Sequence, residues 1–279
     1  MLGNDVVDLL DVNARPETFH RRFDTRVFAA EERRAIATDD RPQALRWAHW
    51  GAKEAAYKLA RQLDPKFVFS PARLVARFEP AARTPEGSFE RRGRLELVSG
   101  PPGRVQAIDL KSFETREWVH VVALLAGSDW GDVVMAVEPL SSEDASLAVR
   151  RLALREIGRE LGLAAGRLSI GRVSIGPLSI GPLSIGRQGR IPTVELDGRE
   201  TDFALSLSHH GRFVAFAMAP RDRGVRGVRG ERCEHSAGDE HGDFGARGQG
   251  VRQTAGAVGC PAGAADTAWP TYLVRWMVG

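Results

Sequence analysis

The sequence predicts an α+β fold made of two successive units, each a helix laid against antiparallel strands. Two long stretches, 42–62 and 141–162, carry apolar residues at helical spacing. Each is followed by short β-branched or aromatic runs separated by Gly and Pro, the pattern of strands joined by turns. With 279 residues, 43 % of them apolar and 27 % charged, the chain has an ordinary globular composition and can bury one large core or two modest ones.

The first unit, 1–127, opens on Val6 and Val7 between Asp5 and Asp8, a short apolar stretch that suits a strand. Residues 26–36 (RVFAAEERRAI) and 42–62 read as helices. In the second, Leu45, Ala48, Ala52, Ala55, Ala56 and Leu59 recur at helical spacing, and alanine and glutamate raise the helix propensity. Asp39 or Asp40 stands where a residue would cap its start. Strand-like pieces follow at 74–78, 94–98, 105–110 and 118–125, divided by clusters such as SGPPG at 99–103.

The second unit spans 133–220. Its helix, SSEDASLAVRRLALREIGRELGL from Ser141, has acidic residues early and an apolar series through Leu147, Leu152, Leu154, Ile157 and Leu161, with a stop at Gly162. From Arg167 a five-residue unit recurs four times, a period far shorter than that of the usual solenoids. Without three of the copies RLSIGRQGRIPTV remains, which reads as strand, turn, strand. The repeat at 167–186 is therefore expected as an expanded surface loop, because closure entropy grows slowly with length; a β-solenoid-like stub is the alternative. Residues 203–219 read as two strands around a turn at His210–Gly211. Beyond them, 221–279 is rich in glycine and charge with few large apolar residues until WPTYLVRWMVG, so a disordered tail is expected.

Several function classes are disfavoured. A net charge of +3, with no basic segment interleaved with aromatics, argues against nucleic acid. Cys233 and Cys260 form neither a disulfide framework nor a zinc-ligand spacing. The start, MLGNDVVDLL, lacks a basic n-region and a cleavage site, and the apolar run from Trp118 to Gly127 is too short to span a bilayer. These readings predict a soluble cytoplasmic protein with no membrane partner.

Of 39 basic residues only four are lysine, and two of those, Lys53 and Lys58, flank Glu54 in HWGAKEAAYKLA. Lysine is a compact, tunable charge, whereas arginine is a broad fork that stays protonated. Glu54 and Lys58, at i and i+4, share one helix face. Lys53 is turned by about 100° from Glu54. Standing alone, this pair reads as a solvated surface ion pair. Trp47, Trp50 and Tyr57 crowd the same turns, and Asp5 flanks a strand just after Gly3, where a carboxylate can reach a neighbouring helix.

These residues resemble the 4'-phosphopantetheinyl transferase superfamily: GNDVVDL near the start, Arg22-Phe23, Glu31, and WGAKEAAYK from Trp50 to Lys58. Leu161-Gly162, GRIP at 189–192 and SLSHHG at 206–211 look like the other lobe of its two-lobed members, although the order of the lobes is reversed here. The resemblance implies a monomeric pseudo-dimer of two similar lobes with the site between them. It also implies Mg2+-dependent transfer of 4'-phosphopantetheine from coenzyme A to a serine of an acyl or peptidyl carrier protein, that is, holo-[acyl-carrier-protein] synthase activity serving fatty acid, polyketide or peptide synthesis. A catalytically inactive homologue that binds coenzyme A or a carrier protein is the alternative.

By the same resemblance, Asp5 and Glu54 would hold Mg2+, with Asp8 as a third ligand, and Glu54 and Lys58 would be catalytic. His209, Arg190, Lys53 and Arg22 would bind coenzyme A. For each of these four a structural or solvated role is the competing reading. Arg190 stands where the family usually has lysine, and ARQLDPK replaces the glycines that usually follow Lys58.

Overall fold

A computed structural model describes residues 1–18, 20, 22–99, 104–141, 144–163, 166–174, 190–221 and 272–273. The first strand, β1 (Leu2–Asp8), is followed by α1 (Phe23–Val27), α2 (Ala30–Thr38) and α3 (Pro42–Leu63). Then come β2 (Ala76–Phe78), β3 (Ala82–Arg83), β4 (Phe89–Ser99), β5 (Arg104–Glu114) and β6 (Trp118–Leu125). The rest comprises β7 (Val134–Pro139), α4 (Ala145–Glu160), β8 (Leu168–Ser174), β9 (Arg190–Leu196), β10 (Arg199–His210), β11 (Phe213–Pro220) and the two-residue β12 (Tyr272–Leu273).

The strands form two antiparallel sheets, so the fold is α+β as expected. One runs β1-β6-β5-β4-β2 with β3 beside β4; the other runs β12-β7-β11-β10-β9-β8. Apart from β12 the two follow one plan. The first strand leads into a helix, a meander returns, and the last strand pairs with the first: β6 with β1, β11 with β7.

Three apolar clusters hold this together. One lies between α3 and the first sheet, through Ala48, Ala52, Leu59, Leu95, Leu110 and Val121. A second, including Val149, Leu152 and Ile157 of α4 with Val214 and Phe216 of β11, lies on the second sheet. Between the sheets, Leu2, Val6, Val122 and Leu124 meet Met135, Val137, Ala215 and Ala217. The order of layers is helix, sheet, sheet, helix.

Small residues set how closely α3 sits on β1. A Cβ at Gly3 would collide with the Ala55 carbonyl, and one at Gly51 would come within 2.9 Å of Val121 Cγ2. That same Gly51 position lies 3.9 Å from Asp5 Cβ, so the close approach brings the helix directly over the strand acid.

Several expectations change. The helix expected at 26–36 is interrupted at buried, extended Phe28, and Glu32 reaches back to accept a hydrogen bond from the Ala29 N–H that opens α2. Asp39 does not cap α3; its carboxylate is gripped by both Arg91 Nη atoms at 2.8 Å, and α3 starts with Pro42 in its first turn. α4 begins at Asp144, whose side chain accepts from the N–H groups of Ser146 and Leu147. β7 is a strand that the sequence reading leaves unassigned. Of the repeat, the first copy and the start of the second form β8, which pairs with β9, while 175–189 lie outside the described residues. The expected tail also lies outside them, save Arg221 and β12, which pairs with β7.

Candidate active site

As the edge strand of its sheet, β1 leaves one row of backbone groups unpaired by β6. Side chains from two directions satisfy them. From the second sheet, Ser206 Oγ accepts from the Asn4 N–H at 2.9 Å, Ser208 Oγ from Val6 at 3.2 Å, and His210 Nδ1 from Asp8 at 3.1 Å. The spacing of two along β10 matches the spacing of two along β1, because alternate residues of a strand share a face. From α3, Gln62 donates to the Leu2 carbonyl at 2.7 Å and Lys58 to the Asn4 carbonyl at 2.8 Å.

Asp5 lies between these two sets. Its Oδ1 receives Lys58 Nζ at 3.1 Å and the Ser208 hydroxyl at 2.8 Å. Among the described residues nothing donates to its Oδ2 or to either carboxylate oxygen of Glu54. Glu54 is largely buried, and its carboxyl is pushed up to about 7, first by burial and then by the negative charge of Asp5, against the pull of Lys58. The electrostatic coupling is the mark of two neighbouring carboxylates. Lys58 spends two of its three donors on Asn4 and Asp5 and keeps partial exposure. Of the residues named from sequence, the fold thus brings together Asp5, Glu54 and Lys58.

Other candidates are placed elsewhere. Lys53 is fully buried, and its ammonium donates to both carboxylate oxygens of Glu32 at 2.7 Å and to the Leu74 carbonyl. It cannot reach coenzyme A and instead locks α2 and the approach to β2 onto α3. Asp8 is 1 % exposed, and Arg212 takes both of its oxygens, at 2.8 and 2.9 Å, while the Arg212 N–H donates to Oδ2 at 3.0 Å. Burial opposes its charge, yet the Arg212 bonds prevail and hold its carboxyl below the usual range. A carboxylate so occupied is not available as a third metal ligand. Gly211, at φ +52, makes the turn that delivers Arg212, and a Cβ there would sit 2.6 Å from Asp8 Oδ2.

His209 is exposed and points to the face opposite Ser208 and His210, the side on which Leu205 and Leu207 join the α4 cluster. Arg22 is exposed just before α1. Arg190 opens β9, and its side chain lies outside the described part of the structure. Sequence reasoning missed Ser208, Glu32 and Arg212. For Ser208 a signal existed, since strand alternation sets it apart from His209.

The oxygens left without donors on Asp5 and Glu54 suit a hard cation. Mg2+ commonly takes one or two carboxylates and completes its shell with phosphate oxygens and water. No cluster of three or more His, Cys, Asp or Glu side chains with metal-binding geometry occurs among the described residues. No helix among the described residues is long and apolar enough to cross a membrane, which leaves β-barrels unaddressed.

Comparison with known proteins returns no match among curated sequences. A family model, however, matches residues 1–95, which take in β1 and α3, and hence Asp5, Glu54 and Lys58, and end within β4. That stretch of the chain is a 4'-phosphopantetheinyl transferase superfamily domain.

Proposed function

We propose that the protein transfers 4'-phosphopantetheine from coenzyme A to a serine of an acyl or peptidyl carrier protein, with Asp5 and Glu54 holding Mg2+. The observation that supports this most is the arrangement at β1 and α3. Among the described residues nothing donates to Asp5 Oδ2 or to the Glu54 carboxylate beside it, and Lys58 keeps a donor unspent. When bound, Mg2+ neutralises charge on the diphosphate and polarises its phosphoryl oxygens.

The chain's own residues supply the rest. Lys58 directs its remaining N–H at a phosphate oxygen and offsets the charge that develops as the phosphoryl moves. The serine oxygen of the carrier forms a new bond to the phosphorus that bears pantetheine. The bond from that phosphorus to the bridging oxygen breaks, and adenosine 3',5'-bisphosphate leaves. Glu54 would take up the serine proton through a carboxylate oxygen not engaged by the metal.

His209, Arg190 and Arg22 remain proposed contacts for coenzyme A; buried Lys53 is withdrawn from that role, and Asp8 from that of a third metal ligand. The test is to incubate the protein with apo-carrier protein, coenzyme A and Mg2+ and to weigh the carrier. A mass gain of one phosphopantetheine supports transfer. Binding of coenzyme A without gain identifies an inactive homologue, and the absence of both gain and binding refutes the assignment.

A further inference from the structure

We infer that Ser208, carried by the second sheet, is a positioning residue that fixes Asp5 for cation binding, so that the metal site of the first sheet is complete only when the second sheet is docked. This rests on the proposed function. A hydroxyl has one proton and can both accept and donate. The Val6 N–H points at Ser208 Oγ at 3.2 Å, so the hydroxyl proton is committed elsewhere, and it goes to Asp5 Oδ1 at 2.8 Å.

Ser208 is 5 % exposed, so bulk water has little access to take over that bond. Lys58 donates to the same oxygen, so both donors grip Oδ1 and none of the described residues grips Oδ2. A carboxylate fixed through one oxygen cannot swing, and it presents the other in a constant direction. Groups that orient a metal ligand in this way typically contribute 10- to 100-fold in affinity.

Ser206 supplies an internal control. It accepts from the Asn4 N–H at 2.9 Å in the same pattern, is similarly buried, and makes no bond to Asp5. A purely structural role for Ser208 would give the two serines equal weight.

The experiment measures Mn2+ affinity of the full chain by electron paramagnetic resonance of the free ion, with coenzyme A present. Ser208→Ala is expected to weaken Mn2+ binding roughly 10-fold or more. Ser206→Ala should change it by less than about 2-fold, because it touches no ligand, and Ser208→Thr, which keeps the hydroxyl, should retain most of the affinity. Both alanine variants lose one hydroxyl-to-backbone bond, and Ser208→Ala, which also loses the bond to Asp5, should melt the lower of the two. Should Ser208→Ala not fold, Ser208→Cys keeps the shape with a weaker donor and carries the same comparison. Equal Mn2+ affinities in the Ser208 and Ser206 variants, with wild-type binding intact, would overturn the inference alone. Absence of Mn2+ binding in the wild type overturns it together with the metal assignment.

Discussion

Replacing Glu54 with glutamine should stabilise the metal-free protein at alkaline pH while abolishing transfer. The buried carboxyl titrates at about 7 in the folded chain, against an ordinary value of 4.5. A folded-state value above the unfolded one means that the native state holds the proton more tightly. Stability is therefore intact below about pH 4.5 and falls as pH rises toward 7, where the native carboxyl must finally ionise. The gap of about 2.5 pH units, at 1.36 kcal/mol each, sets a ceiling of ~3 kcal/mol on the loss. Partial exposure of Glu54 makes about 2 kcal/mol the working figure. Glutamine matches the protonated acid in shape and never ionises. At about pH 4 the two proteins should melt together; at about pH 8, in a chelator, Glu54→Gln should melt roughly 4–8 °C higher. Added Mg2+ and coenzyme A should raise the wild type at pH 8 and leave the variant where it was. The assay is a set of thermal melts across pH with and without metal. A variant less stable than wild type at pH 8, or a difference constant across pH, would refute the reading of Glu54 as a strained, metal-seeking carboxylate.

Asp5→Asn should remove the Mg2+ response of the melt, whereas Asp8→Asn should keep it, because Asp8 is committed to Arg212. Denaturant titration of the Asp8 variant should nonetheless show a loss of about 1–3 kcal/mol from the broken charged bonds. Lys53→Met should cost about 3–5 kcal/mol by stranding Glu32 as a buried charge, and Lys53→Met with Glu32→Gln should recover part of it. Unchanged stability in the single Lys53 variant would refute the buried pair. Gly3→Ala should destabilise by about 1–3 kcal/mol or more, since its Cβ meets the Ala55 carbonyl rather than a flexible side chain. A neutral effect on the urea midpoint would show that α3 does not rest on β1 in solution.

The grouping of Asp5, Glu54 and Lys58 at the candidate site was legible because its information is local. Glu54 and Lys58 are one helical turn apart, so their shared face follows from helix geometry alone. Asp5 reaches them because glycine and alanine, visible in the sequence, permit a close helix–strand contact. What stayed hidden depended on partners far along the chain: Arg212 is 204 residues from Asp8, and Glu32 sits 21 residues before Lys53 on another helix. One misassignment was avoidable by period alone. Asp5 and Asp8 are three apart on a strand and so face opposite ways. β7 escaped notice because VMAVEP opens as a continuous apolar run, buried at Met135, Ala136 and Val137 in succession, and shows no alternation to mark a strand.

The duplicated topology poses a chemical question, since only one of the two edge-proximal strands carries the acids. A symmetric pair of sheets would be free to meet by joining edge strands, backbone to backbone, and such pairing would consume the β1 groups completely. Here β10 instead offers side chains, and those side chains have capacity beyond the backbone. Ser208 satisfies Val6 and still has a proton for Asp5, and Lys58 satisfies Asn4 and still has donors for Asp5 and for a phosphate. The edge that would otherwise be an aggregation hazard thus becomes the frame of the site. Its hydrogen bonds serve folding and ligand orientation together, so weakening the contact between the sheets should loosen the cation before it unfolds the chain.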